Sequence, residues 1–312
     1  MSPPGAINKV PETKTDALYQ KNGTLHTHTT TLSSITPLAT FPPEIQALYQ
    51  KPTVKSEAEI PQKSPYVLTF PETIFHAQGG GQPSDTGTIT LHPSSQDSST
   101  PPSTEQGKDE EAPTFHVHSV RKASLAILHI GTFNPPSSPS LFTTSPSSPP
   151  RQITQSLNIP SRTLHSRLHT GGHVLSLAIR FLSTSSPSTL PPSLKEVKAS
   201  HYPGAAFVEF QGLIPGTAKG DIQAQVDKFV AHDLDVKVHF WTPEEAAEKC
   251  AMVGEGIKGG EEGVRVVEIG DVGSYPCGGT HVLRLSELGR VVVRNIKRQK
   301  GVSKVSYEVV DV

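Results

Sequence analysis

The chain has 312 residues, room for two modest domains, and a formal charge of −1, which excludes a uniformly basic nucleic-acid binder and leaves only a local charged surface for such a partner. A hydrophobic share of 34% with 29 prolines predicts segments that do not pack. The two cysteines, Cys250 and Cys277, exclude a disulfide scaffold and suit a reducing compartment. No apolar run approaches the ~20 residues of a membrane span. The first stretch has neither the apolar core of a secretory signal nor the arginines of a transit peptide, so the expectation is a soluble cytoplasmic protein.

In chain order, residues 1–12 read as a flexible N-terminus. Gly23–Ile35, Tyr66–Phe70, Thr86–Leu91, Phe115–Val120 and Leu125–Ile130 are short, rich in β-branched or alternating apolar residues, and separated by turn residues. They predict strands of a β-rich N-terminal domain over 13–155. Three stretches dense in serine, proline and polar residues, Ser94–Glu111, Asn134–Gln152 and Ser183–Ser193, read as disordered insertions. Ser161 can cap a helix to about Leu182, with Leu164, Leu168, Leu175, Ile179 and Leu182 on one stripe. A second helix fits Asp221–His232. Val236, Val238 and Phe240 alternate as a strand, and Thr242-Pro243 starts a third helix, with Cys250 as a core residue on it. Strands follow at Val264–Ile269, Arg290–Ile296 and Lys304–Val310. The second half, 156–312, is therefore mixed α+β.

Four motifs carry candidate chemistry. His169 and His173 lie four apart on the predicted helix and share a face, so both can reach one ion; a surface pair is the alternative. No glutamate follows His169, which disfavours the metalloprotease motif. Cys277 and His281 flank a Gly-Gly turn and offer ligands that suit zinc; a buried thiol beside a tight turn is the alternative. The two pairs together make one cysteine and three histidines. His165, one turn before His169, either joins the site or hydrogen-bonds a ligand. In "FHAQGGGQPSDTG", Phe75 to Gly87, the glycines Gly79, Gly80 and Gly81 allow close backbone approach, and Gln82 offers both a donor and an acceptor. A hairpin turn accounts for most of these residues, and no Walker or dinucleotide pattern follows. Arg290 to Lys304 holds six basic residues and no acidic one. It is either a solvated strand face or a phosphate-binding edge, with Arg290, Arg294, Lys297 and Arg298 in that role.

The ordered set "GGGQPSDTG", "RLHTGGHVLS" and "CGGTHV" resembles the editing domain of alanyl-tRNA synthetases, and more closely its free-standing relatives, the AlaX proteins. Threonyl-tRNA synthetase shares the two metal pairs but not the glycine–glutamine motif. No aminoacylation module is read from the sequence. The resemblance implies an α+β fold class, with a small β-barrel-like N-terminal domain followed by an α+β editing domain and the site between them. It implies a trans-acting, zinc-dependent hydrolase that deacylates mischarged alanine tRNA, chiefly seryl- and in addition glycyl-tRNA. Carried over by position, His169, His173, Cys277 and His281 would hold Zn2+. Gln82 and the Gly79–Gly81 backbone would line the aminoacyl pocket, and Gln82 or Thr170 would recognise the serine hydroxyl. His281 is a candidate for a loosely held ligand with a catalytic role.

The resemblance has a physical rationale. A pocket built for alanine discriminates poorly against a side chain one hydroxyl larger or one methyl smaller, by only ~1–3 kcal/mol, so a second hydrolytic site restores fidelity. Four protein ligands leave no open position, so zinc either loses one ligand to water or only shapes the pocket. Gly171-Gly172 within the helix are taken to permit close approach of substrate or of the glycine-rich loop. The rival reading is a non-catalytic, zinc-stabilised tRNA-binding module. A zinc hydrolase for another acylated substrate is a third.

Overall fold

The computed structural model describes residues 8–49, 64–92, 112–143, 151–250 and 259–312. The chain divides into two compact units, one of Met1–Gln78 with Ser84–Ser161 and one of Gly79–Pro83 with Arg162–Val312. The fold class is α+β, and a curled half-barrel sheet is present.

The first unit holds strands β1 (Asp16–Ala17), β2 (Thr27–Thr31), β3 (Ser34–Pro37), β4 (Tyr66–Thr69), β5 (Glu72–Thr73), β6 (Gly87–Leu91), β7 (Thr114–Ala123), β8 (Ala126–Asn134) and β9 (Gln152–Leu157). Short helical turns α1 (Leu18–Lys21), α2 (Pro43–Gln46) and α3 (Pro139–Phe142) connect them. Seven strands form one antiparallel sheet in the order β2-β9-β6-β7-β8-β4-β3. Its main core is aromatic and β-branched, with Phe70, Phe75, Phe115, Phe133, Ile89 and Ile153 all buried. A second cluster around Leu38, Phe41, Leu128 and Ile130 covers other side chains of β4 and β8. That is why β8 is buried over nearly its whole length instead of alternating. The expected strands are present, and β9 was missed, because "QITQSL" alternates with polar residues and lies against a proline-rich run.

Two expected insertions differ from the prediction. Within Asn134–Gln152, α3 buries Phe142 completely among the core aromatics, so this part packs; a single large apolar residue was enough to anchor it. Within Ser183–Ser193, Leu190 is buried in the core of the second unit. The segment Ser94–Glu111, residues 144–150 and most of the expected flexible N-terminus lie outside the described residues.

The second unit is built around α4 (Ile159–Thr184, whose first three residues fall in the first unit), with α5 (Lys219–Ala231) and α6 (Pro243–Lys249). Strands β10 (Lys195–Ser200), β11 (Phe207–Gln211), β15 (Arg290–Gln299) and β16 (Val302–Val310) form one sheet in the order β10-β11-β16-β15. Strands β12 (Val236–Trp241), β13 (Val264–Ile269) and β14 (Gly273–Pro276) form another. Both sheets and α4 and α5 share one core, through Leu175, Ile179, Val208, Val226, Val267 and Val305.

Helix α4 starts three residues earlier than expected. Its cap is Asn158, whose Oδ1 accepts the Ser161 backbone N–H at 3.1 Å, not Ser161. Helix α6 begins as predicted, with Thr242 and Glu245 forming a reciprocal capping box. Cys250 is buried at its C-cap. On β12, Val236 is buried while Val238 and Phe240 are each 39% exposed, so the alternation marks the strand but not an inward face.

Candidate functional site

The histidine pair and the cysteine–histidine pair meet. One ligand atom from each of His169, His173, Cys277 and His281 lies within 4.8 Å of the others. Helix α4 supplies the first two, one turn apart on one face. The turn after β14 supplies the other two. Cys277 Sγ lies 3.3 Å from His281 Nε2 and 3.5 Å from His169 Nε2. Gly279 makes this convergence possible, since a Cβ there would strike the His169 ring and lie 2.6 Å from Gln82 Oε1.

Two side chains orient the imidazoles from behind. The Thr280 backbone N–H donates to Gln82 Oε1 at 3.0 Å, which identifies that atom as oxygen. The same oxygen lies 2.7 Å from His169 Nδ1, so Nδ1 carries the proton and the Nε2 lone pair faces Cys277. Gln82 Nε2 donates to Thr280 Oγ1 at 2.8 Å, and Thr280 Oγ1 lies 2.8 Å from Ser166 Oγ. Thr170 orients the His281 ring in a similar way. Its hydroxyl lies 3.0 Å from His281 Nδ1 and accepts the Val282 N–H at 3.3 Å, leaving Nε2 directed at Cys277. Gln82 was expected to line the aminoacyl pocket, and Gln82 or Thr170 to read a serine hydroxyl. Both are wholly buried, and their polar atoms meet the metal-ligand candidates His169 and His281.

The glycine run has a conformational reason. Gly79 and Gln82 exchange backbone hydrogen bonds around a two-residue turn, and Gly80 and Gly81 both have positive φ, at 56° and 78°. Gly81 also passes the end of β10 so closely that a Cβ would lie 2.7 Å from the Ala199 carbonyl oxygen. Gly79–Pro83 belongs to the second unit, with all four ligand candidates.

Beside the cluster is a cavity of about 210 Å³, lined by Gly80, His169, Gly172, His173, Ser176, Glu196, Ala199, His201, Tyr275, Pro276, Cys277 and Gly278. His201 was missed in the sequence, because no spacing ties it to the other histidines. It stacks on His169 with centroids 4.4 Å apart, and its Nδ1 lies 2.6 Å from the Tyr307 hydroxyl, which donates to the Leu168 carbonyl at 2.7 Å. Gly172 admits this pair: a Cβ would lie 2.6 Å from His201 Nδ1 and 2.7 Å from Tyr307 Oη. Gly171 faces Val291, Val309 and Tyr307. The two helix glycines thus admit the sheet and its neighbours, not the glycine-rich loop.

Burial sets the charge states. It holds the His173 pKa down at about 3, helped by the nearby His201 and Arg265, and His201 at about 4. Both rings are neutral, as a metal ligand must be. Burial pushes the Cys277 thiol up, opposed by the Gly279 N–H and Arg265. A bound cation is what would make it a thiolate. The donor set, three imidazoles and one half-buried thiol, fits zinc. His173 Nδ1 is buried with no hydrogen-bond partner. His165 is buried too but is not one of the four converging residues.

The basic strand divides. Arg290 pairs with Asp227 at 3.1 Å and Arg294 with Glu308 at 3.1 Å, so local acids compensate both. Lys297 and Arg298 are exposed further along β15.

The fold and site define a metal-centre candidate on a helix and a Cys-Gly-Gly-Thr-His turn, beside a small polar cavity. The family model described as "Threonyl and Alanyl tRNA synthetase second additional domain" matches residues 264–306, which contain Cys277 and His281. The chain is 26% identical over 252 residues to the alanyl-tRNA editing protein AlaX-L of Pyrococcus horikoshii, covering 79% of this chain and 52% of that protein. It is 26% identical over 230 residues to the alanine–tRNA ligase of Streptomyces avermitilis, covering 72% of this chain and 22% of the ligase. To the alanine–tRNA ligase of a Parafrankia species it is 31% identical over 137 residues, 43% of this chain and 15% of the ligase. The chain therefore spans about half the length of AlaX-L and under a quarter of these ligases. Over most of its length the chain is thus similar to an AlaX-type alanyl-tRNA editing protein, in line with the motif resemblance.

Proposed function

We propose that the protein is a trans-acting editing hydrolase that deacylates mischarged alanine tRNA, chiefly seryl-tRNA and in addition glycyl-tRNA, at a zinc-containing site. The observation that carries this reading is the convergence of His169, His173, Cys277 and His281 beside a cavity of about 210 Å³. The volume suits a small aminoacyl group. Relatives named for alanyl-tRNA editing and alanine–tRNA ligation support the substrate class.

Zinc bound there would polarise an ester carbonyl or lower the pKa of water. The rest falls to the chain. Gln82 holds His169 in the tautomer that presents Nε2, and Thr170 bonds His281 Nδ1 and so fixes the orientation of that ring. His201 and Tyr275 wall the cavity. The Gly80 backbone lies open to the cavity, with nothing within 4 Å of where a side chain would begin. An aminoacyl ester is already activated, so a positioned water and modest oxyanion stabilisation suffice. Exposed Lys297 and Arg298 are the candidate phosphate contacts for tRNA.

Purified protein should deacylate seryl-tRNA(Ala) faster than alanyl-tRNA(Ala), and Cys277→Ala should lose metal and activity together. Folded, metal-loaded protein with no preference for the serine ester would sink the proposal. The closed set of four donors supports a second reading, a zinc-stabilised tRNA-binding module without turnover. That reading predicts tRNA binding, no deacylation, and unfolding on chelation.

A further inference from the structure

We propose that Glu196 anchors the α-ammonium group of the aminoacyl ester, and so restricts the cavity to aminoacyl rather than other acyl groups. The inference rests on the editing reading above and names a specificity residue that it lacks.

The first observation is a side chain on the wrong face. In β10, "KEVKAS", simple alternation would turn Val197 inward and leave the charged residues in water. The structure does the opposite. The β10–β11 register shifts between Glu196 and Lys198, a bulge that sets Glu196 opposite buried Phe210 and leaves Val197 52% exposed. Bulges re-aim side chains next to active sites, and a broken local rule of this kind marks function more than stability.

The second observation is what Glu196 meets. It is the one carboxylate in the lining of the cavity, whose other ionisable residues are histidines, Cys277 and Tyr275. Its Oε2 is buried without a hydrogen-bond partner, and the Ser176 hydroxyl on α4 lines the same cavity beside it. Burial raises the Glu196 pKa, with Ser176 opposing the rise. The lining holds no lysine or arginine, and a carboxylate without a cationic partner in such a place is unfavourable until a cation arrives. An ammonium carries one positive charge and three N–H donors. It can satisfy Glu196 Oε2 and the Ser176 oxygen together, and the charge-assisted bond is the strong one. Every aminoacyl ester carries this group. Acyl esters without an amine do not.

The test uses the full-length metal-loaded protein and two non-hydrolysable probes. One is adenosine with serine joined to the 3′ position as an amide. The other is its glyceric-acid counterpart, in which a hydroxyl replaces the ammonium. Calorimetry should show the wild type binding the amine probe about tenfold or more tighter. Glu196→Gln should bring the ratio near one, with metal content and far-UV spectrum unchanged. Ser176→Ala should lower the ratio less. Equal affinities in the wild type, or a ratio untouched by Glu196→Gln, would overturn the proposal. So would loss of metal in Glu196→Gln, which would make the carboxylate a counter-charge of the centre. Seryl-tRNA(Ala) deacylation is followed in parallel. Amine preference without turnover keeps the ammonium anchor and sinks the hydrolase. Turnover without preference does the reverse.

Discussion

Gln82 accepts two hydrogen bonds at one oxygen and donates a third through its nitrogen, at zero exposure. Gln82→Ala would strand the His169 Nδ1–H and the Thr280 N–H in a dry site, costing about 1–3 kcal/mol. It should also weaken metal binding by roughly 10–100-fold, the usual effect of losing a ligand's orienting partner. A chelator competition titration checks this, and unchanged metal affinity would show that His169 does not need Gln82. Gly172→Ala is a steric test. The new methyl group meets His201 and Tyr307, so stability should fall by ~1–3 kcal/mol in urea, while Gly216→Ala, with nothing within 4 Å, should change little. The roles of Gln82 and Thr170 were half legible from the residues. Their motif marked them, but the atoms they bond lie 198 and 111 positions away in the chain, in Thr280 and His281.

At the scale of elements, periodicity located most strands and helices because apolar spacing follows directly from the geometry of a strand or helix. It failed where burial was two-sided. Helix α4 has an apolar stripe, as expected, but His165, Ser166, His169, Thr170 and Ser176 on its other faces are buried as well. A polar residue under another element looks like a surface residue in the sequence. Strand β8 shows the same effect through His129, which is fully buried and bonded to Thr73 Oγ1 at 2.8 Å. Burial holds the His129 pKa at about 3 in the fold, whereas an unfolded histidine titrates near ~6.5. The folded pKa is the lower one, so the contribution is complete above pH ~6.5 and is lost as pH falls toward the folded value, by about 1.4 kcal/mol per pH unit. Buried His173 and His201 add to the same slope, so denaturation free energies measured from pH 7 to 4 should fall steeply, and His129→Gln should lower the slope by about 1.4 kcal/mol per pH unit without abolishing it.

At the scale of the molecule, each unit has its own core, and the four ligand candidates all lie in the second. The chain's one tryptophan, Trp241, is also there, on β12. Stripping metal with a chelator should lower the thermal midpoint read by Trp241 fluorescence, since a ligand that binds only the folded state stabilises it by mass action. A midpoint indifferent to both chelator and added zinc would remove the metal from the structure of this unit. No helix among the described residues is long and apolar enough to cross a membrane.

The sequence by itself determined the α+β class, the two candidate ligand pairs and their order along the chain, because residue identity and short-range spacing are local properties. Only the tertiary structure decided that 169, 173, 277 and 281 converge, that Gln82 and Thr170 stand behind the histidines, and that Glu196 faces inward. Those facts depend on a β-bulge, on glycines that let backbone and rings approach closely, and on contacts more than a hundred residues apart. Such contacts are selected by the packing of the whole unit, and no window along the chain contains both partners.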